Sequence, residues 1–89
     1  MASLGVEVEA GIGEGPVISR VMPRAPGTAH RSAPGVRPGD TLLSIDGRPT
    51  RDMAELVRVL GSCRPGMEVL VEVRRGTAIK ELRVTLIER

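Results

Sequence analysis

The chain contains no Phe, Trp or Tyr. Its core must therefore be built from Val, Leu, Ile, Met and Ala, and the aromatic platforms on which proteins stack bases are absent. There is one cysteine, Cys63, which cannot close a disulfide within the chain, so a disulfide-stapled secreted scaffold is excluded. His30 is the only histidine, and together with Cys63 it falls short of the four ligands of a structural zinc site. No apolar run approaches the about 20 residues needed to span a bilayer. The opening Met1-Ala2-Ser3-Leu4 lacks the basic-then-apolar order of a signal peptide. Lysine is scarce as well: Lys80 stands alone among 13 basic residues, and the arginines are interleaved with Glu68, Glu72, Glu81 and Glu88. At a net charge of +2 this is no patch for a phosphate backbone. The expectations are a soluble, cytoplasm-compatible chain with no metal, no cofactor, no nucleic-acid partner and no membrane span.

What is present suits a single globular domain. Eighty-nine residues, 40% hydrophobic and 27% charged, are enough for one core and too few for a two-domain enzyme. The pattern from Leu4 to Ala10 alternates, with Leu4, Val6 and Val8 on one face of a half-buried strand. A glycine-rich tip, Gly11 to Gly15, expected to be floppy, leads into a second strand at Val17 to Met22. Four prolines between Pro23 and Pro38 forbid a long helix, though Gly27 to Ser32 has room for one or two helical turns. Thr41 to Ile45 reads as a short strand closed by Asp46-Gly47, a strong two-residue turn signal.

One longer helix follows. Either Thr50 or Asp52 serves as its N-cap, and Met53, Leu56, Val57 and Leu60 recur at helical spacing opposite Glu55 and Arg58. Gly61 stands at the expected C-cap. Val69, Val71 and Val73, then Leu82 and Val84, alternate with polar residues in two strands joined at Arg75 to Ala78. Five short strands with little helix predict a mostly β (α+β) fold, a small and mainly antiparallel barrel or sandwich.

Catalytic chemistry finds little support. His30 lies in a polar stretch with no apolar frame, which suits a solvated side chain. Cys63 has Arg64 beside it but no neighbouring base. Asp40, Asp46 and Asp52 sit at turns or caps, where aspartate satisfies backbone amides. The Gly11, Gly13, Gly15 run leads into a strand, whereas a phosphate site wants a helix N-terminus. The chain reads as a non-enzyme. Three features instead suggest a groove for an extended peptide: an early strand with an open edge, a helix apolar over more than a third of its circumference, and a glycine at the strand's start.

Ser3-Leu4-Gly5-Val6 resembles the carboxylate-binding loop of PDZ domains, and the stretch from Val36 through Pro38-Gly39-Asp40 to Ile45-Asp46-Gly47 resembles that family's most recognisable motif. The likeness covers nearly the whole chain. It implies a five- to six-stranded antiparallel, partly open barrel capped by one long and one short helix, in one domain over residues 1–89 excised from a larger protein. The extra C-terminal strand, Glu81 to Ile87, is similar to the permuted arrangement in the PDZ modules of high-temperature-requirement serine proteases and C-terminal processing proteases.

The resemblance also implies roles. The amides of Leu4, Gly5 and Val6 would meet a ligand carboxylate. The peptide would pair along Val6-Glu7-Val8, facing Met53, Val57 and Leu60 on the helix. The terminal pocket (Leu4, Val6, Val57, Leu60) would take Val, Leu or Ile, and the selectivity position falls on Met53, with Asp52 or Ala54 taking its place if the helix register slips by one. The basic residue that often precedes the family's loop has no counterpart, which keeps internal segments in play beside protein C-termini with an aliphatic end. The alternatives are a recognition or regulatory module of a larger protease, and self-association through the groove edge, although a monomer is favoured.

Overall fold

The computed structural model describes residues 2–21 and 35–88. Nine elements follow in order: β1 (Ala2–Ser3), β2 (Val6–Glu9), β3 (Val17–Val21), β4 (Thr41–Ile45), β5 (Arg48–Pro49), α1 (Met53–Gly61), β6 (Glu68–Arg75), β7 (Ala78–Thr85) and β8 (Ile87–Glu88). The main sheet runs β2-β3-β4-β6-β7, antiparallel throughout, with β5 paired to β4. Among the described residues the fold is mostly β, as expected, with the one long helix, and the sheet stays open instead of closing into a barrel. The expected short helix at Gly27 to Ser32 and the His30 reading lie outside the described residues, as does Met22.

The β6–β7 hairpin dominates the sheet. Its register runs unbroken from Glu68↔Thr85 to Arg75↔Ala78. Val69, Val71, Val73 and Val84 point inward and are essentially inaccessible, which the period-two pattern predicts. Gly76, at φ 62, occupies the first central position of the turn, where an L side chain is strained. The turn is thus tighter than expected, since Arg75 and Ala78 belong to the strands.

At the other tight turn, Asp46 and Gly47 have φ 50 and 79, the paired positive values of a type I′ turn. Asp46 Oδ1 also accepts the Leu70 amide at 2.7 Å, while its own amide donates to the Leu70 carbonyl at 2.8 Å. One aspartate therefore both turns β4 and fastens it to β6. The two-residue strand β5, missed by sequence reasoning, results from this turn.

The N-cap of α1 is Asp52, not Thr50. The Asp52 carboxylate accepts the Glu55 amide at 2.8 Å, and Asp52 itself is extended. Thr50 is instead buried, with its hydroxyl unpartnered. The helix continues through Gly61, and Ser62 is the C-cap, its amide donating to the Val59 carbonyl at 3.1 Å. Gly61 is thus the last helical residue and not the cap. The Cys63 thiol donates to the same Val59 carbonyl at 3.3 Å, which gives this lone cysteine a place in the helix end.

The core is wholly aliphatic, as the composition requires. Leu42, Ile45 and Val73 are fully buried, and Ile18, Leu56, Val59 and Leu86 pack with them. Full burial of such side chains contributes about 1.5–3 kcal/mol each.

Candidate functional site

The expected strand from Leu4 to Ala10 is broken at its start. Gly5 adopts φ 77, which a residue with a Cβ rarely does, so the chain turns between β1 and β2. β1 is tied elsewhere, to β8, through Ala2↔Glu88 and Ser3↔Ile87. The last strand of the chain thus holds the loop that precedes β2. Within that loop, the Gly5 amide donates to Ser3 Oγ at 3.1 Å. Ser3, Leu4, Gly5 and Val6 are all buried.

Among the described residues β2 is one edge of the main sheet, paired only to β3. Their register runs Val6↔Val21 and Glu7↔Arg20, then slips so that Val8 faces Ile18. Ser19 is the extra residue of this bulge, and its hydroxyl donates to the Glu7 carbonyl at 3.2 Å. The Glu7 carbonyl therefore faces β3. Main-chain groups alternate sides along a strand, so those of Val6 and Val8 face the free edge. The strand-pairing stretch Val6-Glu7-Val8 is accordingly two residues with outward hydrogen-bonding groups flanking one whose carbonyl is already satisfied.

The hairpin tip beyond β2, expected to be floppy, carries an exposed ion pair to the sheet. Glu14 pairs with Arg74 on β6 at 2.7 Å. A Cβ on Gly11 would meet the Gly15 carbonyl, so the tip closes on itself too tightly for any side chain there.

α1 contributes the other flank. Leu56 and Val59 are its buried residues, with Met53 and Leu60 half-buried against the core. Val57 is 52% exposed. The expected inner face of Met53, Leu56, Val57 and Leu60 is thus rotated: Val59 points in and Val57 points out. Positions 53, 57 and 60 form a stripe alongside the buried one. α1 packs on β1 and β5.

Leu4 and Val6 come together around a narrow apolar space shared with Ile18, Val36, Leu42 and Val84. Val57 and Leu60 are not among its walls. The side chains of Leu4 and Val6 thus anchor the loop to the core, while the open surface next to it is backbone from β2.

Charge at the helix start is locally neutralised. Glu55 accepts from the Arg51 amide at 2.9 Å and from Arg51 Nε and Nη2 at 3.0 and 2.9 Å. These bonds hold the Glu55 carboxyl down at about 2. Among the described residues no group of three or more His, Cys, Asp or Glu is arranged to hold a metal. None of their helices is long and apolar enough to cross a membrane.

The fold and the Leu4-Gly5 turn beside an edge strand define a PDZ-like domain. The sequence pattern of the family described as "PDZ domain" matches residues 2–86, and the chain belongs to that family. It is 33% identical over 79 residues to the magnetosome formation protease MamE of Paramagnetospirillum magneticum, covering 89% of this chain and 10% of that protein. It is 30% identical over 84 residues to a probable periplasmic serine endoprotease, DegP-like, of Pseudomonas fulva, covering 94% of this chain and 16% of that one. The chain thus spans a small fraction of the curated relatives it matches.

Among solved structures, it superposes on the HtrA-type protease AlgW with decapeptide at a TM-score of 0.78 and 30% identity, over 99% of this chain and 29% of that chain. The HtrA3 PDZ domain bound to a phage-derived ligand (FGRWV) gives a TM-score of 0.72 at 22% identity, over 97% of this chain and 85% of that one. The latter likeness speaks for the fold. The permuted, protease-type PDZ expected from the sequence is the type found.

Proposed function

We propose that this domain is a non-catalytic module that captures a short apolar peptide, added as a strand to the free edge of β2. The observation that carries the reading is that edge itself: Val6 and Val8 turn hydrogen-bonding groups outward immediately after a loop of closely spaced amides. Main-chain pairing supplies affinity in such a site, and pockets for alternate side chains supply selectivity. Leu4, Gly5 and Val6 would receive the ligand's carboxylate. Val6 and Val8 would pair with its backbone. Met53, Val57 and Leu60 would flank it, with Met53 favouring an apolar ligand residue through its flexible, polarisable side chain.

The ligand is a peptide or protein C-terminus ending in Val, Leu or Ile, since nothing aromatic stands in the site to demand a flat partner. The named ligands of AlgW and of the HtrA3 PDZ domain, a decapeptide and a pentapeptide ending in Val, support peptide capture and an aliphatic end. Few side chains are anchored and the peptide must be ordered, so affinity is in the micromolar range, about −7 to −8 kcal/mol.

A second reading concerns the setting. The relatives are proteases of which this chain matches 10% and 16%. The domain, one unit over residues 1–89, serves on this reading as the substrate-recognition or regulatory module of a larger protease whose catalytic residues lie elsewhere. The periplasmic name of the DegP-like relative favours an exported setting over a cytoplasmic one.

The test is a titration of isotope-labelled protein with peptides ending in Val, Leu or Ile, followed by amide NMR. Saturable shifts at residues 4–8 and 53–60 are expected. Shifts elsewhere, or none with either free C-termini or internal segments, would refute the groove.

A further inference from the structure

The main sheet has a second edge, on the far side from β2. Among the described residues β7 pairs only with β6, and its eight residues run without a bulge, a proline or a glycine. Gly76-Thr77 is a two-residue turn, which makes Arg75↔Ala78 a hydrogen-bonded closing pair. Counting on in twos, Lys80, Leu82 and Val84 bond to β6. Leu86 keeps the same phase: its amide donates to the Met67 carbonyl at 2.8 Å, and its carbonyl accepts the Gly66 amide at 2.7 Å. The amides and carbonyls of Ile79, Glu81, Arg83 and Thr85 therefore point away from β6, a template for another strand.

The side chains of these four residues share the outer face of the sheet, where Ile79 is 53% exposed. Glu81 is exposed and stands opposite Glu72, a like-charge pair that destabilises a ladder. Among the described residues no ion pair reaches Glu81, and Arg74 is engaged by Glu14. Arg83 gives Nη1 to Glu68 at 3.2 Å, and its side chain remains 77% exposed.

We propose that β7 joins β7 of a second copy of this chain, antiparallel about a two-fold axis through Leu82. Each Glu81 then faces Arg83 of the other copy, and each Ile79 faces Thr85. The facing residues are the ones with outward main-chain groups, so the amides and carbonyls from Ile79 to Thr85 find partners across the axis. The carboxylate set against Glu72 gains a cation, twice by symmetry. Half-buried Leu82 meets its own copy on the inner face. Neighbouring registers are disfavoured, because an axis through Lys80, Glu81 or Arg83 sets that charge against itself. Charge thus selects one pairing at this edge. The contact lies across the sheet from the groove, and the inference stands apart from the peptide reading.

Sedimentation velocity with interference optics, which needs no aromatic side chain, tests the pairing. It compares the unaltered chain with Glu81→Arg, Arg83→Glu and the double variant Glu81→Arg/Arg83→Glu, each checked for folding by circular dichroism. The unaltered chain should pass from monomer to dimer between micromolar and millimolar concentration. Either single variant opposes like charges at both facing pairs and should associate at least about tenfold more weakly. An equimolar mixture of the two single variants restores opposite charges at both pairs and should associate again, as should the double variant.

An unaltered chain that stays monomeric at millimolar concentration overturns the proposal. So do single variants that dimerise as well as the unaltered chain, or a mixture that stays apart. A further measurement needs no variant and holds even where a substitution unfolds the chain. On dilution of the unaltered protein, the amide NMR shifts of Ile79 to Thr85 should change while those of residues 6–8 stay fixed. Changes confined to residues 6–8 would put the contact at the β2 edge and refute the β7 pairing.

Discussion

Arg75 grips Asp40 with two parallel hydrogen bonds, Nε to Oδ1 at 2.9 Å and Nη2 to Oδ2 at 2.8 Å, across 35 residues of sequence. The Arg37 amide also donates to Asp40 Oδ2, at 3.0 Å, and Arg75 Nη2 reaches the Gly35 carbonyl at 2.8 Å. The Asp40 side chain is 2% exposed. One carboxylate therefore fixes both the turn entering β4 and the outer end of β6.

Burial alone would raise the Asp40 pKa, but the hydrogen bonds from Arg75 and the Arg37 amide outweigh it and hold the carboxyl below its ordinary value. A carboxyl depressed on folding contributes stability that is complete above the unfolded pKa of about 3.9 and is lost as pH falls through the folded value. Urea unfolding followed by far-UV circular dichroism should show stability falling below about pH 4. Asp40→Asn should flatten that dependence. Asp40→Ala, which leaves the Arg37 amide and the Arg75 guanidinium without their acceptor, should cost about 2 to 3 kcal/mol. An acid limb unchanged in Asp40→Asn would contradict this assignment.

Gly15 and Gly13 make opposite predictions two residues apart. A Cβ on Gly15 would fall against two backbone carbonyl oxygens, those of Leu42 and Thr50. Both residues are tied by their own amides, Leu42 to the Pro16 carbonyl at 2.9 Å and Thr50 to the Leu43 carbonyl at 3.1 Å. Around Gly13 a Cβ meets nothing. Gly15→Ala should therefore destabilise by about 1 to 3 kcal/mol. Gly13→Ala should stay within about 0.5 kcal/mol of the unaltered protein. Equal urea midpoints for the two variants would refute the close approach.

What the sequence made legible follows from range. The valines of β6 and the Asp46-Gly47 turn depend on neighbours a few residues away, and both appear where the local pattern puts them. The edge strand and the helix expected to flank a groove are likewise elements of the structure, β2 and α1. At Gly5 the alternation through Leu4, Val6 and Val8 runs on across the turn, so the period-two pattern reads as strand there and only the likeness of Ser3-Leu4-Gly5-Val6 to a family loop marks it. The exchange of Val59 for Val57 on the inner face of α1 is a small rotation that packing on β1 and β5 decides. The clamp of Arg75 on Asp40, the pairing of Arg74 with Glu14 and the tie of β1 to β8 join distant segments, and no local pattern encodes them. The loss of the Glu7 carbonyl to Ser19 is of the same kind, since it depends on a bulge in the partner strand.

Glu55 offers a second titration with a different cause. Side-chain hydrogen bonds from Arg51 come first, then the bond from the Arg51 amide, and they lower its pKa from 4.5 to about 2. Its contribution to the helix start is complete above the ordinary carboxylate value and is lost as pH falls toward 2. In carbon-detected NMR the Glu55 side chain should titrate well below its ordinary value of 4.5. Arg51→Ala should bring it back most of the way, and about 1 M salt should raise it partly by screening an exposed pair. A midpoint in the normal glutamate range would show that the pair does not persist in solution.

Val57 separates binding from folding more cleanly than its neighbours. It is 52% exposed, one turn beyond Met53 on the stripe beside the buried face of α1. On the proposed groove, Val57→Asp would set a carboxylate against the apolar ligand without touching the core, so peptide affinity should fall at least about tenfold through the cost of desolvating a charge. The thermal midpoint should barely move. Met53→Asp should weaken binding as well but also lower stability, because Met53 packs on the core cluster. Val57→Leu keeps the surface apolar and should bind. Binding by Val57→Asp at full affinity, with its fold intact by circular dichroism, would move the ligand away from α1 and leave only the β2 edge to hold it.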